Sequence, residues 1–168
     1  MNLTKRTFLI VPVLFFCVGC DQITKSIARQ TLADAEPIVF LNNFFRLQYV
    51  ENPGAFLSLG AGSPEKMKFW IFTVFTGLFL IGMLIYLFAS PTISKAKTMS
   101  LSLVVGGGAG NLIDRISNEG RVIDFMNMGM GPFRTGVFNV ADVLLSFGIV
   151  WFFVISFKEH QSHLIKEV

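Results

Sequence analysis

Four stretches of the chain stay apolar for about 20 residues, the length a helix needs to cross the hydrocarbon core of a bilayer. They cover approximately 7–28, 69–89, 98–115 and 137–157. The second is uncharged from Phe69 to Ala89, the first is interrupted by Asp21 and Lys25, and the last two carry their polar groups at one end. Between the first two stretches the pattern changes period. Ile38-Val39-Phe40-Leu41, an Asn42-Asn43 pair and the run Phe44 to Val50 read as two β-strands about a turn. The segment 116–136 is rich in Gly and Met and is expected to be irregular. The pattern therefore predicts one domain over 1–168: an all-α membrane core, a four-transmembrane-helix bundle, with a small β-hairpin or sheet outside the bilayer.

Composition strengthens this reading. Charged residues make up 15% of the chain and hydrophobic ones 52%, whereas a soluble domain carries about 25% charged residues. The net charge of +3 is spread along the sequence, so no nucleic-acid partner is expected. Lys5 and Arg6, Lys95 and Lys97, and Lys158 and Lys166 fall in alternate connections. Placing all three groups in the cytoplasm puts both termini inside and loops 29–68 and 116–136 outside. Arg29, Arg46, Lys66 and Lys68 in the first outer loop dilute that signal. Gly106 to Gly108, Ala109 and Gly110 give the third stretch a small-residue face that lets other helices approach closely.

Cys17 and Cys20 form a C-x-x-C inside an apolar run with no βαβ pattern nearby, so they read as small hydrophobes and not as a redox pair. Lys5, Arg6, the apolar run and Val18-Gly19-Cys20 also imitate a lipoprotein leader. Against it, Cys17 stands where Leu belongs, and a cleaved leader leaves three further spans unexplained.

The polar residues carry the chemistry. Ionisable groups inside a membrane cost roughly 2.5–3.5 kcal/mol at a helix centre and so mark function by default. Asp21, Asn111, Asp114, Arg115, Asn139 and Asp142 all fall toward the outer ends of their stretches, and Asp124 lies in the second outer loop. Asn111, Asp114 and Arg115 are spaced to share a helix face, as are Asn139 and Asp142. Arg115 is the natural counter-charge for Asp114 or Asp21, which leaves Asp124 and Asp142 less clearly neutralised. Two carboxylates a few ångströms apart cannot both ionise, so they share a proton. One can then activate water while the other donates to a carbonyl oxygen. Each residue alone could simply cap or pair a helix end; the gathering of all of them at one face points to a site.

Two rivals remain at this level. A small transporter or proton relay needs polar groups through the bilayer depth, whereas the inner halves of the last three stretches are almost wholly apolar. A helix-pairing assembly factor would tolerate Asp124→Asn and Asp142→Asn. No G-x-S-x-G is present, and His160 and His163 sit in the C-terminal tail, so neither a serine nucleophile, a metal nor a cofactor is expected.

Five blocks in order resemble one family. Asp21-Gln22-Ile23-Thr24-Lys25, Asn52-Pro53-Gly54-Ala55, Gly107 to Ile116, Val122-Ile123-Asp124-Phe125 and Phe138-Asn139-Val140-Ala141-Asp142 are similar to the motifs of lipoprotein signal peptidase, the signal peptidase II family. The resemblance implies an aspartyl endopeptidase of the bacterial inner membrane with Asp124 and Asp142 as its catalytic pair. It implies supporting or substrate-binding roles for Asp21, Lys25, Asn52, Gly54, Asn111, Asp114, Arg115, Asn139 and Ala141. The implied substrate is a prolipoprotein whose lipobox cysteine carries diacylglycerol, met in membrane lipid by a monomeric enzyme and cut on the amino side of that cysteine. The 38–50 hairpin and Gly54 would cradle the extended peptide. Two departures from the motifs stand out: Ser117-Asn118-Glu119 is one residue longer than the family spacing, and Phe56 replaces a small residue.

Overall fold

The computed structural model describes residues 2–55 and 59–166, with side chains described through Gln161; Phe56 lies outside these residues. Among the described residues, four long helices form the core. Helix α1 (Leu3–Leu32) starts where the Asn2 side chain accepts the Lys5 N–H at 3.1 Å, one of the donors that a helix start leaves free. Helix α2 (Glu65–Ala89) begins four residues before its apolar run and is π-helical over Phe69–Phe75. Helix α3 (Lys95–Ser117) is capped by Ser94, and helix α4 is Val140–Lys166.

Among the described residues, α1, α2 and the part of α4 up to Gln161 are long and apolar enough to cross a membrane. Helix α3 has the length but less hydropathy, and its burial explains why. Thr98, Ser100, Ser102, Gly106, Gly107, Gly108 and Gly110 are all buried. A Cβ on Gly106 would meet Cys17 of α1 at 2.6 Å, one on Gly107 the Ala141 carbonyl of α4 at 2.5 Å, and one on Gly108 Leu80 of α2 at 2.7 Å. Three consecutive glycines thus face three different helices. A helix surrounded by protein needs small residues for close packing more than it needs grease for lipid. Cys17 is buried in this contact and both cysteines are free thiols.

Outside the bundle lies an antiparallel sheet in the order β1-β2-β3-β4. Strand β1 (Ile38–Phe40) pairs with β2 (Phe45–Asn52), Phe40 opposite Phe45, as the hairpin pattern predicts. The turn between them holds Leu41, Asn42 and Asn43 at φ of 51°, 51° and 70°, a region that Asn tolerates better than most residues. The segment expected to be irregular is instead ordered: Val122–Met130 forms β3, paired along β2 from Met128 opposite Phe45 to Val122 opposite Asn52. Strand β4 (Phe133–Arg134) completes the sheet. Val122 to Phe125 are buried on both faces, so no in-out alternation marked this strand in the sequence. The sheet rests on the last turns of α1, where Ala28 and Leu32 pack with Phe125, Leu47, Tyr49, Met126 and Val140.

Candidate active site

Three elements deliver the polar residues to one place. The α3 helix carries Asn111 and Asp114, β3 carries Asp124, and the start of α4 carries Asn139 and Asp142. Asn139 stands just ahead of α4 and caps it. Its side-chain oxygen accepts the Asp142 N–H at 2.9 Å, and its own N–H donates to Asp142 Oδ2 at 3.2 Å. This reciprocal pair satisfies two backbone donors at once, as in a capping box. The Asn139 side-chain amide is left free to turn inward, where it donates to Asp124 Oδ1 at 2.7 Å and Asn111 Oδ1 at 3.0 Å.

Both Asp124 and Asp142 are therefore held by amides. Asp124 is 2% exposed and also accepts from Asn52 Nδ2 at 3.0 Å. Asp142 accepts from Asn111 Nδ2 at 2.8 Å. Among the described residues no Lys, Arg or His nitrogen lies within ion-pair distance of either carboxylate. Burial pushes the Asp124 carboxyl up to about 7, with the charge of Asp142 adding to it and the Asn52 and Asn139 amides opposing it. Both carboxylates line a cavity of about 340 Å³ together with Asn52, Asn111, Arg115 and Thr76.

A second carboxylate pair is built differently. Lys25 of α1, 1% exposed, lies 2.7 Å from Asp21 and 2.9 Å from Asp114, and donates to Asn111 Oδ1 at 2.9 Å. Asp21 accepts the Ala141 N–H at 2.9 Å, and Asp114 accepts the Ile123 N–H at 3.0 Å. These carboxylates tie α1 to α4 and α3 to β3, each one residue from Asp142 or Asp124. Ala141 serves through its N–H and through a buried methyl that would lie 3.3 Å from a Cβ on Gly110.

Arg115 does not fill the expected role of counter-charge. Lys25 does, because one helical turn places it beside Asp21 and across from Asp114. Among the described residues Arg115 makes no ion pair with Asp21 or Asp114; its guanidinium donates to the Gly54 carbonyl at 3.0 Å and lies over the Phe72 ring at 5.6 Å. Its Nε is buried with no acceptor. Asn52 closes the local loop by accepting the Gly54 N–H at 2.9 Å and donating to the Ala55 carbonyl at 3.1 Å. The extra residue at 117–119 is absorbed in the turn after α3, where Glu119 and Gly120 take φ of 50° and 82°.

Gln22 is the residue that sequence reasoning passed over. Its amide donates to Asp114 Oδ1 at 2.8 Å and to the Gly110 carbonyl at 3.2 Å. Its place inside the Asp21–Lys25 block, one residue from a buried acid, was the available signal.

Residues 13–158 match the family model described as signal peptidase (SPase) II. A lipoprotein signal peptidase of Nostoc punctiforme is 35% identical over 159 residues, covering 95% of this chain and 94% of the relative. One of Clostridium tetani is 36% identical over 150 residues, covering 89% and 92%. A bacterial membrane enzyme solved by the in meso method at 2.3 Å resolution superposes with a TM-score of 0.78 at 25% identity, covering 91% of this chain and 90% of that one.

Proposed function

The chain belongs to the signal peptidase II family, aspartic-type membrane peptidases, and from that premise we propose that Asp124 and Asp142 are its catalytic pair. The observation that carries this reading is their shared amide frame: Asn139 donates to both carboxylates, both open on one cavity, and among the described residues no cation lies within ion-pair distance of either. A pair held by neutral donors can hold one proton between its members.

The reaction is hydrolysis of a peptide bond in a prolipoprotein. The ionised carboxylate takes a proton from water, and the water oxygen attacks the scissile carbonyl carbon. The protonated carboxyl gives its proton to the carbonyl oxygen. When the tetrahedral intermediate collapses, the C–N bond breaks and the leaving amine takes a proton from the carboxyl that first accepted it. The substrate bond is the one on the amino side of a diacylglyceryl-modified cysteine, whose acyl chains stay in lipid while the peptide reaches the wet cavity. Arg115 and the Gly54 segment form the wall on which the extended peptide lies. Membership of a peptidase family leaves a transporter or proton relay without support.

In the membrane α3 is the fourth span. Its 23 residues extend about 34 Å at 1.5 Å per residue, and its Lys95–Lys97 end lies with the other cytoplasmic cations. Both termini are then inside and the cavity opens at the outer face. The test is cleavage of a diacylated prolipoprotein by purified protein in detergent. Asp124→Asn and Asp142→Asn are expected to fold normally and lose activity by about 10²–10⁴-fold; folded variants that still cut would overturn the pair. Gly54→Trp is expected to raise KM with the fold intact, and unchanged kinetics would remove the Gly54 wall from the substrate path.

A further inference from the structure

The end of the sheet farthest from the carboxylates is apolar and exposed, and it carries two unpaired cations. The β1–β2 turn and the β3–β4 turn lie side by side: Gly129 N–H donates to the Phe44 carbonyl at 2.8 Å, and the Arg134 guanidinium donates to the Asn43 carbonyl at 2.8 Å. Leu41 is 76% exposed, Met130 73% and Phe133 85%. Edge strand β1 adds Ile38, Val39 and Phe40, exposed on both of its faces. A water-facing strand edge is normally blunted with charge, and here the opposite is found.

Arg46 and Arg134 flank these turns. Arg46 bonds Asn43 Oδ1, and Arg134 is held by neutral acceptors. Among the described residues neither has a carboxylate within ion-pair distance. Desolvation and then the charge of Arg46 hold the Arg134 guanidinium below its ordinary value. Beside them a groove of about 630 Å³ has Val39, Phe40, Leu41, Asn42, Asn43 and Arg46 in its lining. The depth is also set. Helix α1 has 30 residues and extends about 45 Å, the thickness of a bilayer with its headgroups. The sheet packs on the last turns of α1, Ala28 and Leu32, and so lies at headgroup level.

We infer that the paired hairpin tips are a lipid-binding device: Leu41, Met130 and Phe133 enter the leaflet on the sheet's side, and Arg46 with Arg134 takes the phosphate of an anionic phospholipid. Apolar tips beside unpaired cations match a lipid in both of its parts, acyl chain and headgroup. The inference rests on the membrane character of the chain and is independent of the catalytic assignment.

The test uses the full protein in nanodiscs, with spin labels at Leu41→Cys, Phe133→Cys and, as an aqueous reference, the exposed Asp34→Cys, in a Cys17→Ala/Cys20→Ala background. Labels at 41 and 133 are expected to collide with oxygen more than with a polar nickel chelate, and the label at 34 the reverse. Labels at 41 and 133 that behave like the one at 34 would overturn tip insertion. In phosphatidylcholine discs titrated with phosphatidylglycerol, the label at 41 is expected to move deeper. Arg46→Gln should lower the apparent affinity for phosphatidylglycerol about fivefold, and Arg46→Lys should restore it. Depth that ignores phosphatidylglycerol, or Arg46→Gln that matches the parent, would overturn the headgroup site.

Discussion

Two pairs of carboxylates lie within a few residues of each other in this molecule, and they are kept from repulsion in opposite ways. Asp21 and Asp114 grip one lysine, at 2.7 and 2.9 Å, and spend their remaining oxygens on backbone N–H groups of the segments that carry the other pair. Among the described residues, the side-chain oxygens of Asp124 and Asp142 receive amides alone. A cation held between two carboxylates ties both to one place and makes them scaffold. Neutral donors orient a carboxylate without fixing its charge, so a proton can still come and go. The difference separates the charges that hold the site from those we propose to react in it.

The largest effect is expected from breaking the gripped pair. Lys25→Met leaves two buried carboxylates without their cation, and removing one partner of a buried ion pair costs about 3–5 kcal/mol. The midpoint of thermal unfolding in detergent should fall by many degrees. The triple variant Asp21→Asn/Lys25→Met/Asp114→Asn removes every charge but keeps oxygen acceptors for Ala141 and Ile123, and should recover most of the loss. Asp124→Asn, by contrast, should leave the midpoint unchanged or raised. A Lys25→Met protein as stable as the parent would show that the cluster is solvated and the contrast empty.

A smaller effect sharpens the contrast through pH. The Asp124 carboxyl is raised by burial from 3.8 to about 7, so between these values the folded protein binds more protons than the unfolded chain. Its contribution to stability is then present below pH 3.8 and lost as pH rises through about 7. Asp124→Asn should flatten that stretch of the stability profile. Activity should fall on the alkaline side of about 7 as the pair loses its last proton, close to tenfold per pH unit. A rate that is flat from pH 6 to 9 would contradict a shared proton.

The sequence disclosed the hairpin, the apolar stretches and the polar residues at their ends, because each rests on a local pattern. It disclosed the carboxylates but not their partners. Arg115 was the obvious counter-charge by helical spacing, yet the cation is Lys25, which reaches Asp114 across a helix–helix contact permitted by Gly110. That contact joins positions 25 and 114, and nothing local encodes it. Strand β3 was hidden for a related reason: buried on both faces and ending in Gly and Met, it has neither alternation nor a run of β-branched residues. Gln22 was visible in its motif, but its role depends on the same interhelical approach.

The smallest effect bounds the comparison from outside. Glu51 is another acid with positive neighbours, Arg29 at 3.4 Å and Arg121 at 3.1 Å, and it also accepts from the Tyr49 hydroxyl at 2.8 Å. Its carboxyl is lowered, first by the Tyr49 hydroxyl, with desolvation opposing and Arg121 assisting. On charge count alone it resembles the Lys25 cluster. Both arginines are about half exposed, however, so water screens the attraction and the long side chains lose little when parted. Exposed pairs are worth about 0–1 kcal/mol. Glu51→Gln keeps an oxygen for Tyr49 and should move the unfolding midpoint by no more than a degree or two, with kcat unchanged. A loss comparable to that of Lys25→Met would mean that burial does not separate scaffold from surface here, since both clusters set one charge between two of opposite sign and differ in access to water.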